Sequence, residues 1–397
     1  MRSTLSSLLD PYIPLLEYLG VWVVIVGIGL LVKADKHGII FKPYYVMLRT
    51  SVFNSWMQKL GSKFRRGWLT YFDIGAAMGL GLMALIIFTL VFNALNLFNR
   101  SSQSGPVSLI IPLPGITISW EIFPYILISI AVLLIPHEVA HGVASVLDKV
   151  PIKSSGVFLA IFLPGGFVEI DEEDLSKRKA RTKLRVFAAG SFTNVVGWFL
   201  VVLLITNFTL AISPLYDSNS SGVVITQLVG GGAAEGAHIQ PWSVLTYING
   251  THRMSSVKDL QTFLAPLKPR DNLTLTMING QTFAITTMPA PENASRATVG
   301  VYPYNYYAPR LNFLPIRLPY DFANTLYWMN LILLGVAAVN MLPLAPFDGD
   351  RYFDTILRTL GVKNTKNVRT VASIVSLSLL SLNLVLSFAF YGTIFPK

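Results

Sequence analysis

Long apolar segments recur along the chain and dominate its sequence. Four windows of at least 25 residues contain no Asp, Glu, Lys or Arg: 74–98, 186–212, 322–347 and 371–395. A fifth window, 122–147, contains a single charged residue, Glu138. Each can cross the apolar core of a bilayer, which takes about 20 helical residues.

A sixth apolar segment, Leu15 to Val32, is shorter and carries Glu17 near its start. We predict that it also spans the membrane. Its flank lacks a basic region and a small-residue cleavage site, so it is expected to stay as an uncleaved anchor. The pattern therefore predicts a polytopic α-helical membrane protein with about six transmembrane helices.

Residues 222 to 289 have a different pattern, in which apolar and polar positions alternate. Four segments are predicted as strands: 222–227, 243–248, 272–278 and 281–287. Asn279-Gly280 between the last two is a strong hairpin signal. Ser256, with Asp259 three residues later, forms a capping box at the start of a short amphipathic helix. The pattern predicts a folded α+β domain inserted between the fourth and fifth spans.

Composition agrees with a membrane protein and limits its other roles. Of 397 residues, 52% are hydrophobic and only 13% are charged, with a mean hydropathy of +0.54. The net charge is +10, but the basic residues are not gathered into one aromatic-studded patch, so no nucleic-acid partner is expected. The chain has no cysteine, which excludes disulfides and thiolate metal sites.

The basic residues instead predict a topology. They are concentrated in segments 33–66 and 149–185, which the positive-inside rule places in the cytoplasm. Alternation of the spans then places segment 213–321, with the inserted domain, outside. The Asn-x-Ser/Thr sequons all start on this outer side or at the outer end of a helix, at Asn99, Asn207, Asn219, Asn249, Asn272 and Asn293. We expect an integral, multi-pass protein of the cell membrane.

The third predicted span carries the candidate chemistry. His137 and His141 are four residues apart, so both imidazoles lie on one helix face and can reach a single Zn²⁺. Glu138 can act as the general base that deprotonates a water as it attacks a carbonyl. A purely structural role is the alternative, but ionisable groups within a spanning helix cost about 3 kcal/mol each and are functional by default.

Two histidines leave a catalytic zinc one protein ligand short of the usual three. The fifth span is followed directly by Asp348, and Pro343 and Pro346 precede that residue. Proline obstructs a helix and removes a backbone donor, so we expect the chain to unwind and turn Asp348 back to the depth of His137. Taken alone, this segment is equally compatible with a carboxylate that simply lies at the inner interface.

Together these motifs resemble those of the site-2 protease family of intramembrane zinc metalloproteases. The helical His-Glu-x-x-His of that family matches residues 137–141. Its Asn-x-x-Pro-x-x-x-x-Asp-Gly signature matches at identical spacing, through Asn340, Pro343, Asp348 and Gly349. The family usually has leucine before the aspartate, where this chain has Phe347. Two further elements correspond to a Gly-x-x-x-Asn pair and a membrane-associated β-loop: Gly190 with Asn194, and residues 164–170.

The resemblance covers about 122–349 and implies a catalytic core of three helices. It implies one zinc per chain, bound by His137, His141 and Asp348, with Glu138 as general base. Asn194 could stabilise a tetrahedral oxyanion or make an interhelical hydrogen bond, and the two roles are equal alternatives. Asn340 is expected to brace the unwound segment that follows it.

The inserted domain resembles a bacterial-type PDZ domain. Its order of strand, small-residue loop, strand, helix and hairpin is that of the family. Residues 256–260 and 267–271 match the residue types that the family usually has there. Trp242 departs from it, because a Gly-Asp pair normally follows the proline that is Pro241 here. An unrelated small β-rich domain is the alternative. The resemblance implies that the domain binds a peptide or a C-terminus.

The predicted function is zinc-dependent hydrolysis of peptide bonds in transmembrane helices of single-span membrane proteins. The rival is a membrane zinc carrier or an inactive PDZ scaffold, for which Glu138 would serve no purpose. We assign the following segments: an N-terminal accessory part, 1–121; the first catalytic part, 122–212; the PDZ domain, 222–289; the second catalytic part, 322–349; and a cytoplasmic segment with the last span, 350–397.

Overall fold

The computed structural model describes residues 13–31, 38–114, 117–161, 163–291 and 293–392. The chain forms two compact units. One consists of Met1–Val202 with Tyr327–Lys397, and is called the helical unit below; the other is Leu203–Leu326, the sheet unit. The helices in chain order are α1 (Ile13–Leu31), α2 (Val52–Lys63), α3 (Arg65–Phe98), α4 (Phe123–Leu147), α5 (Glu172–Ser176), α6 (Ala180–Thr206), α7 (Phe208–Ile212), α8 (Ala233–Gly236), α9 (Val257–Leu264), α10 (Leu318–Asn340), α11 (Asp348–Thr359) and α12 (Thr365–Tyr391).

Five helices among the described residues are long and apolar enough to cross a membrane, namely α3, α4, α6, α10 and α12. They correspond to the five long apolar windows of the sequence. Helix α1 contains only a shorter apolar stretch, Leu16–Leu31, so this measure does not establish the sixth predicted span. Val32 and Phe395, the predicted ends of the first and last spans, lie outside the described residues.

Helix α4 lies at the centre of the helical unit. Its C-terminal half packs against α2, α3 and α6 in one apolar cluster, to which these helices contribute Met57, Phe72, Val143 and Val186. The approach of α2 is close, because a side chain on Gly142 would collide with the sulfur of Met57. His137, Glu138 and His141 therefore lie on the most buried of the five long apolar helices.

A four-stranded antiparallel sheet packs beside α4. Its strands, in spatial order, are β1 (Ile39–Lys42), β2 (Tyr45–Thr50), β3 (Ile152–Ala160) and β4 (Leu163–Ile170). Strand β4 confirms the strand predicted for the 164–170 segment. The other three strands were not predicted. Strand β2 pairs with β3 across more than 100 residues of sequence, as in the pair Met47 and Phe158.

An ion cluster centred on the buried side chain of Arg185 joins α3, α4 and α6. Arg185 of α6 donates to Asp73 of α3 at 2.6 and 2.8 Å, and to Asp148 at the end of α4 at 3.1 Å. Arg181 donates to the same Asp73 at 2.9 and 2.6 Å. Arg185 itself is buried, so these hydrogen bonds pair a guanidinium that would otherwise lie uncompensated inside the protein. The cluster therefore fixes the end of α4 relative to its neighbours.

Helix α10 ends at Asn340, and α11 begins at Asp348. This confirms the break predicted from the prolines between them. The start of α11 packs tightly, because a side chain on Gly349 would overlap the carbonyl oxygen of Leu342. Asp350, which is buried, accepts a hydrogen bond from Nε of Arg369 on α12 at 2.9 Å. These contacts hold the beginning of α11, and with it Asp348, in one place.

The sheet unit contains an antiparallel sheet of six strands beside a separate pair of strands. In chain order its strands are β5 (Gly222–Leu228), β6 (Val244–Ile248), β7 (His252–Arg253), β8 (Asn272–Met277), β9 (Thr282–Thr286), β10 (Met288–Ala290), β11 (Asn293–Thr298) and β12 (Val301–Tyr306). The sheet has the order β12-β5-β6-β8-β9 with β7 paired to β6, and β10 pairs with β11. The four predicted strands and the predicted helix are present as β5, β6, β8, β9 and α9. Ser256 caps α9 as expected, since its hydroxyl accepts from the Asp259 amide at 3.2 Å.

The sheet extends beyond the predicted domain boundary at residue 289. Strand β12 pairs along the whole of β5, from Val301 opposite Leu228 to Tyr306 opposite Gly222. The predicted domain ended before this tyrosine-rich stretch, which contains Pro303. The proline is accommodated at a register shift next to Tyr302, a position where a strand tolerates the missing donor.

Trp242 occupies the position where the PDZ pattern has glycine, and its backbone adopts the conformation that glycine favours. Its φ is +68°, which costs a non-glycine residue about 1–2 kcal/mol. The ring packs edge-on against Tyr320 at 5.4 Å, and the Arg317 guanidinium lies 4.9 Å from its centre. These contacts offset the backbone strain, so the substitution changes the surface and preserves the turn.

Candidate metal centre

Three residues predicted as ligands converge in the helical unit. His137 and His141, one turn apart on α4, bring their Nε2 atoms to 3.2 Å of each other. Asp348, at the first position of α11, places Oδ2 at 3.2 Å from Nε2 of His141 and 3.6 Å from Nε2 of His137. Both histidines are buried, whereas the Asp348 side chain is one-quarter exposed. The break after α10 thus brings together donors that are 207 residues apart (348 − 141).

This triangle fits a tetrahedral divalent cation. With metal–ligand bonds of about 2.0–2.1 Å, two ligands of a tetrahedral zinc lie about 3.3–3.4 Å apart. The three donor separations, 3.2, 3.2 and 3.6 Å, bracket that value. Two imidazoles and one carboxylate are also a donor set that suits zinc, and three protein ligands leave a fourth position for reacting groups.

A backbone carbonyl fixes the orientation of His141. Its Nδ1 lies 2.7 Å from the carbonyl oxygen of Val186 on α6. Only a protonated nitrogen can make this hydrogen bond, so Nδ1 carries the ring proton and Nε2 keeps a lone pair towards the triangle. This is the tautomer that a metal ligand needs. No sequence pattern predicts this contact, because the partner is a backbone atom.

The Asn194 amide fixes His137 in the same way from α6. Its Nδ2 lies 2.9 Å from Nδ1 of His137. Rotating the Asn194 side-chain amide by 180° places its Oδ1 at this position instead. Nδ1–H of His137 then donates to that oxygen, and Nε2 of His137 is left free for a metal. Close approach of the two helices makes the contact possible, because a side chain on Gly190 would overlap the His137 ring. Of the two predicted roles of Asn194, this geometry matches the interhelical hydrogen bond.

We expect Asn194→Leu to lower metal affinity by about 10–100-fold, the usual loss when a ligand's orienting partner is removed. Asn194→Asp should keep affinity close to the native value, because its carboxylate still accepts the proton of His137 Nδ1. Competition with a chelating dye measures both. If Asp and Leu bound metal equally well, an orienting role would be excluded and the oxyanion role would be favoured.

Glu138 lies between the metal ligands and strand β4. Its Oε2 accepts a hydrogen bond from the Val168 amide at 3.1 Å. Gly166 leaves room for it, since a side chain there would come within 3.1 Å of the Glu138 Cγ. One oxygen of the carboxylate is therefore anchored to the sheet. Sequence reasoning did not find Val168, again because the contact is made by its backbone.

A cavity of about 290 Å³ opens onto the triangle. Glu138 and Asn340 lie in its lining, and the amide nitrogen of Asn340 is 3.4 Å from Nε2 of His137. This places Asn340 at the ligands, whereas the prediction had it bracing the following segment.

At the rim of the cavity, Arg351 of α11 pairs with Glu172 of α5 at 2.7 Å. Asp171 caps α5 through the Asp174 amide, and this hydrogen bond lowers the pKa of the Asp171 carboxyl.

Comparison with known proteins agrees with this site. Residues 125–383 match peptidase family M50. A protein of Arabidopsis thaliana described as a membrane-bound transcription factor site-2 protease homolog is 28% identical over 185 residues, which cover 46% of this chain and 35% of that protein. The chain thus matches about a third of the length of this relative. An uncharacterized protein of Methanocaldococcus jannaschii is 21% identical over 364 residues, covering 90% of this chain and 88% of that protein.

The family match extends over more than half of the chain and includes every residue of the triangle. The chain belongs to peptidase family M50. With its five apolar helices, it is a multi-pass membrane protein of that family.

Proposed function

We propose that the chain is an intramembrane zinc endopeptidase that cuts peptide bonds in or near the transmembrane segments of single-span proteins. One observation carries the proposal: a carboxylate, Glu138, stands beside a three-donor triangle on a spanning helix that has no other charged residue. An ionisable group in a spanning helix is costly, so a carboxylate placed beside three possible metal ligands favours a catalytic role over a structural one.

Each residue of the site has a proposed part in hydrolysis. Held by His137, His141 and Asp348, one zinc per chain would supply a Lewis acid beside the cavity. Glu138 takes the proton of the attacking water with the oxygen that Val168 does not hold, and passes it to the leaving amine. Asn340, on the cavity side of His137, donates to the carbonyl oxygen as negative charge develops there. Asn194 lies behind the ring, so we assign it an orienting role.

Strand β4 offers a way to hold the substrate. It is the last strand of its sheet, so one edge has no strand partner among the described residues. A transmembrane helix hides its carbonyls in internal hydrogen bonds and must unwind before it is cut. We propose that the unwound segment adds to β4 as a further strand, next to Glu138.

The test is cleavage of a synthetic transmembrane peptide by the purified full-length protein in nanodiscs. We expect cuts within the apolar segment, identified by mass spectrometry, that stop when a chelator removes the metal and resume when zinc is added. The rival function, a zinc carrier, predicts a different pair of results. Zinc uptake into protein-containing vesicles without any peptide cleavage would favour the carrier and overturn the proposal.

We also propose that the chain crosses the cell membrane six times, with the sheet unit outside. The support is the concentration of basic residues in the opposite loops. In intact cells, a cysteine at Gln281 on the β8–β9 hairpin should react with an impermeant maleimide, whereas one at Ser62 should not. The chain has no native cysteine, so each label reports one site. The reverse labelling would contradict this topology.

The sheet unit is proposed to act as a PDZ domain that selects substrates. It would bind a peptide or a trimmed C-terminus, or exclude proteins with bulky outer domains. Its order of strands and the cap of α9 support the PDZ assignment.

A further inference from the structure

Helix α2 has three faces of different character. At about 100° per residue, Val52, Phe53 and Trp56 fall in one sector. All three are exposed, by 74%, 44% and 48%. Met57 and Gly61 fall in a second sector and are buried. The third sector holds exposed polar residues only: Ser55, Gln58 and Ser62. A helix that contacts only protein and water has two faces, a buried apolar face and an exposed polar face.

The buried face fixes how α2 is turned. Met57 packs against Gly142, directly after the ligand His141, and a side chain on Gly61 would meet Val146 at 3.4 Å. At the C-terminal end, the Trp68 indole donates to the carbonyl of Leu60 at 3.0 Å. These contacts hold the helix against α4, so the orientation of the exposed apolar face is set by the fold.

Chain continuity locates α2 near the membrane surface. Only Phe64 separates it from α3, a helix of 34 residues that is long and apolar enough to span the bilayer. The first turns of α3 carry Trp68 and Tyr71, the residue types enriched at membrane interfaces. An apolar surface at this depth meets lipid.

Basic side chains continue the exposed sector of α2 towards its C-terminal end. Lys59 and Lys63 lie within about 20° of Val52 on the helix, and Arg66 is the second residue of α3. Among the described residues, none of these three has a carboxylate partner. The Lys63 ammonium lies 5.7 Å from the centre of the exposed Phe64 ring. Basic and aromatic residues in this arrangement are typical of helices that lie in the headgroup layer of anionic membranes.

We propose that α2 is an in-plane membrane helix that binds anionic phospholipid. Val52, Phe53 and Trp56 insert among the acyl chains, Lys59, Lys63 and Arg66 contact phosphate headgroups, and the polar face meets water. The charge complementarity and the continuity with α3 favour lipid over a protein partner. This goes beyond the proposed hydrolysis and does not depend on it.

Depth is tested on the full-length protein in nanodiscs, with a fluorophore on a single cysteine at position 56 or 58. The Trp56→Cys label should be quenched by spin-labelled lipid and should lose quenching by aqueous iodide; the Gln58→Cys label should show the reverse. Both positions are exposed, so neither substitution removes a buried side chain. Equal access of iodide to both labels would overturn the proposal.

Headgroup preference is tested in nanodiscs of phosphatidylcholine mixed with phosphatidylglycerol. In the double variant Lys59→Gln/Lys63→Gln, retention of phosphatidylglycerol should fall about five-fold for each lysine removed. The control Lys258→Gln/Lys268→Gln loses the same charge from exposed positions of the sheet unit and should retain the native amount. Equal retention by the two double variants would contradict binding at α2.

Discussion

Glu138→Gln should lower peptide cleavage by about 10²–10⁴-fold while leaving the metal bound. Glutamine keeps the shape of the side chain and can still accept the Val168 amide hydrogen bond seen at 3.1 Å. It cannot take a proton from water, so it removes general-base catalysis, which contributes a factor of this size. Single-turnover cleavage of a transmembrane peptide, with metal analysis of the same sample, measures both effects.

A matched control comes from the same cavity. Glu169 also lines it, but its carboxylate pairs with Arg49 at 3.4 Å and accepts from Ser154 at 2.6 Å. Glu169→Gln removes an equal charge away from the ligands, so cleavage should stay within a few-fold of the native rate. If Glu138→Gln cleaved as fast as this control, Glu138 would not be the base. A metal-free Glu138→Gln protein would instead mean that the carboxylate helps to hold the ion.

His141→Ala should abolish stoichiometric zinc binding, and with it all cleavage. The substitution deletes one of three donors whose separations are 3.2 to 3.6 Å. The loss of zinc affinity should exceed the roughly 100-fold loss that follows when only the orienting partner of a ligand is removed. Metal content of the purified protein is the direct measurement, and full occupancy in His141→Ala would exclude this triangle as the zinc site.

The control for this second prediction is His252→Ala. His252 is exposed on β7 of the sheet unit, where its ring packs on Phe263 at 4.9 Å. The His252→Ala protein should keep one zinc per chain. A loss of zinc in both variants would point to general misfolding, so thermal unfolding of each is compared with that of the native protein before the metal contents are interpreted.

Short-range patterns predicted the five long apolar helices and picked out the residues that form the triangle. Residues 137 and 141 face one another because α-helical spacing puts them there, and two prolines are enough to end α10 before Asp348. The hairpin at Asn279-Gly280 follows from local turn chemistry. In each case the decisive information lies within about ten residues of sequence.

Pairings between distant segments were not predictable in this way. Strand β2 finds its partner in β3, and β12 finds β5, through contacts that no local pattern encodes. The orientation of both imidazoles depends on α6, through the Val186 carbonyl and the Asn194 amide. A backbone oxygen is present at every residue, so its use as a partner leaves no trace in composition or spacing.

The pairing of β5 with β12 has a consequence for how this architecture arose. Gly222, the first residue of β5, and Tyr306, the last residue of β12, are direct strand partners. Just outside this pair, the Asp217 amide donates to the Ala308 carbonyl at 2.9 Å. Opposite residues in an antiparallel pair lie about 5 Å apart. A module whose ends meet can be gained, lost or exchanged as a single insertion, without rethreading the flanking helices. Recombination at one point of the chain could thus exchange this module, while the helices that hold the triangle stay unchanged.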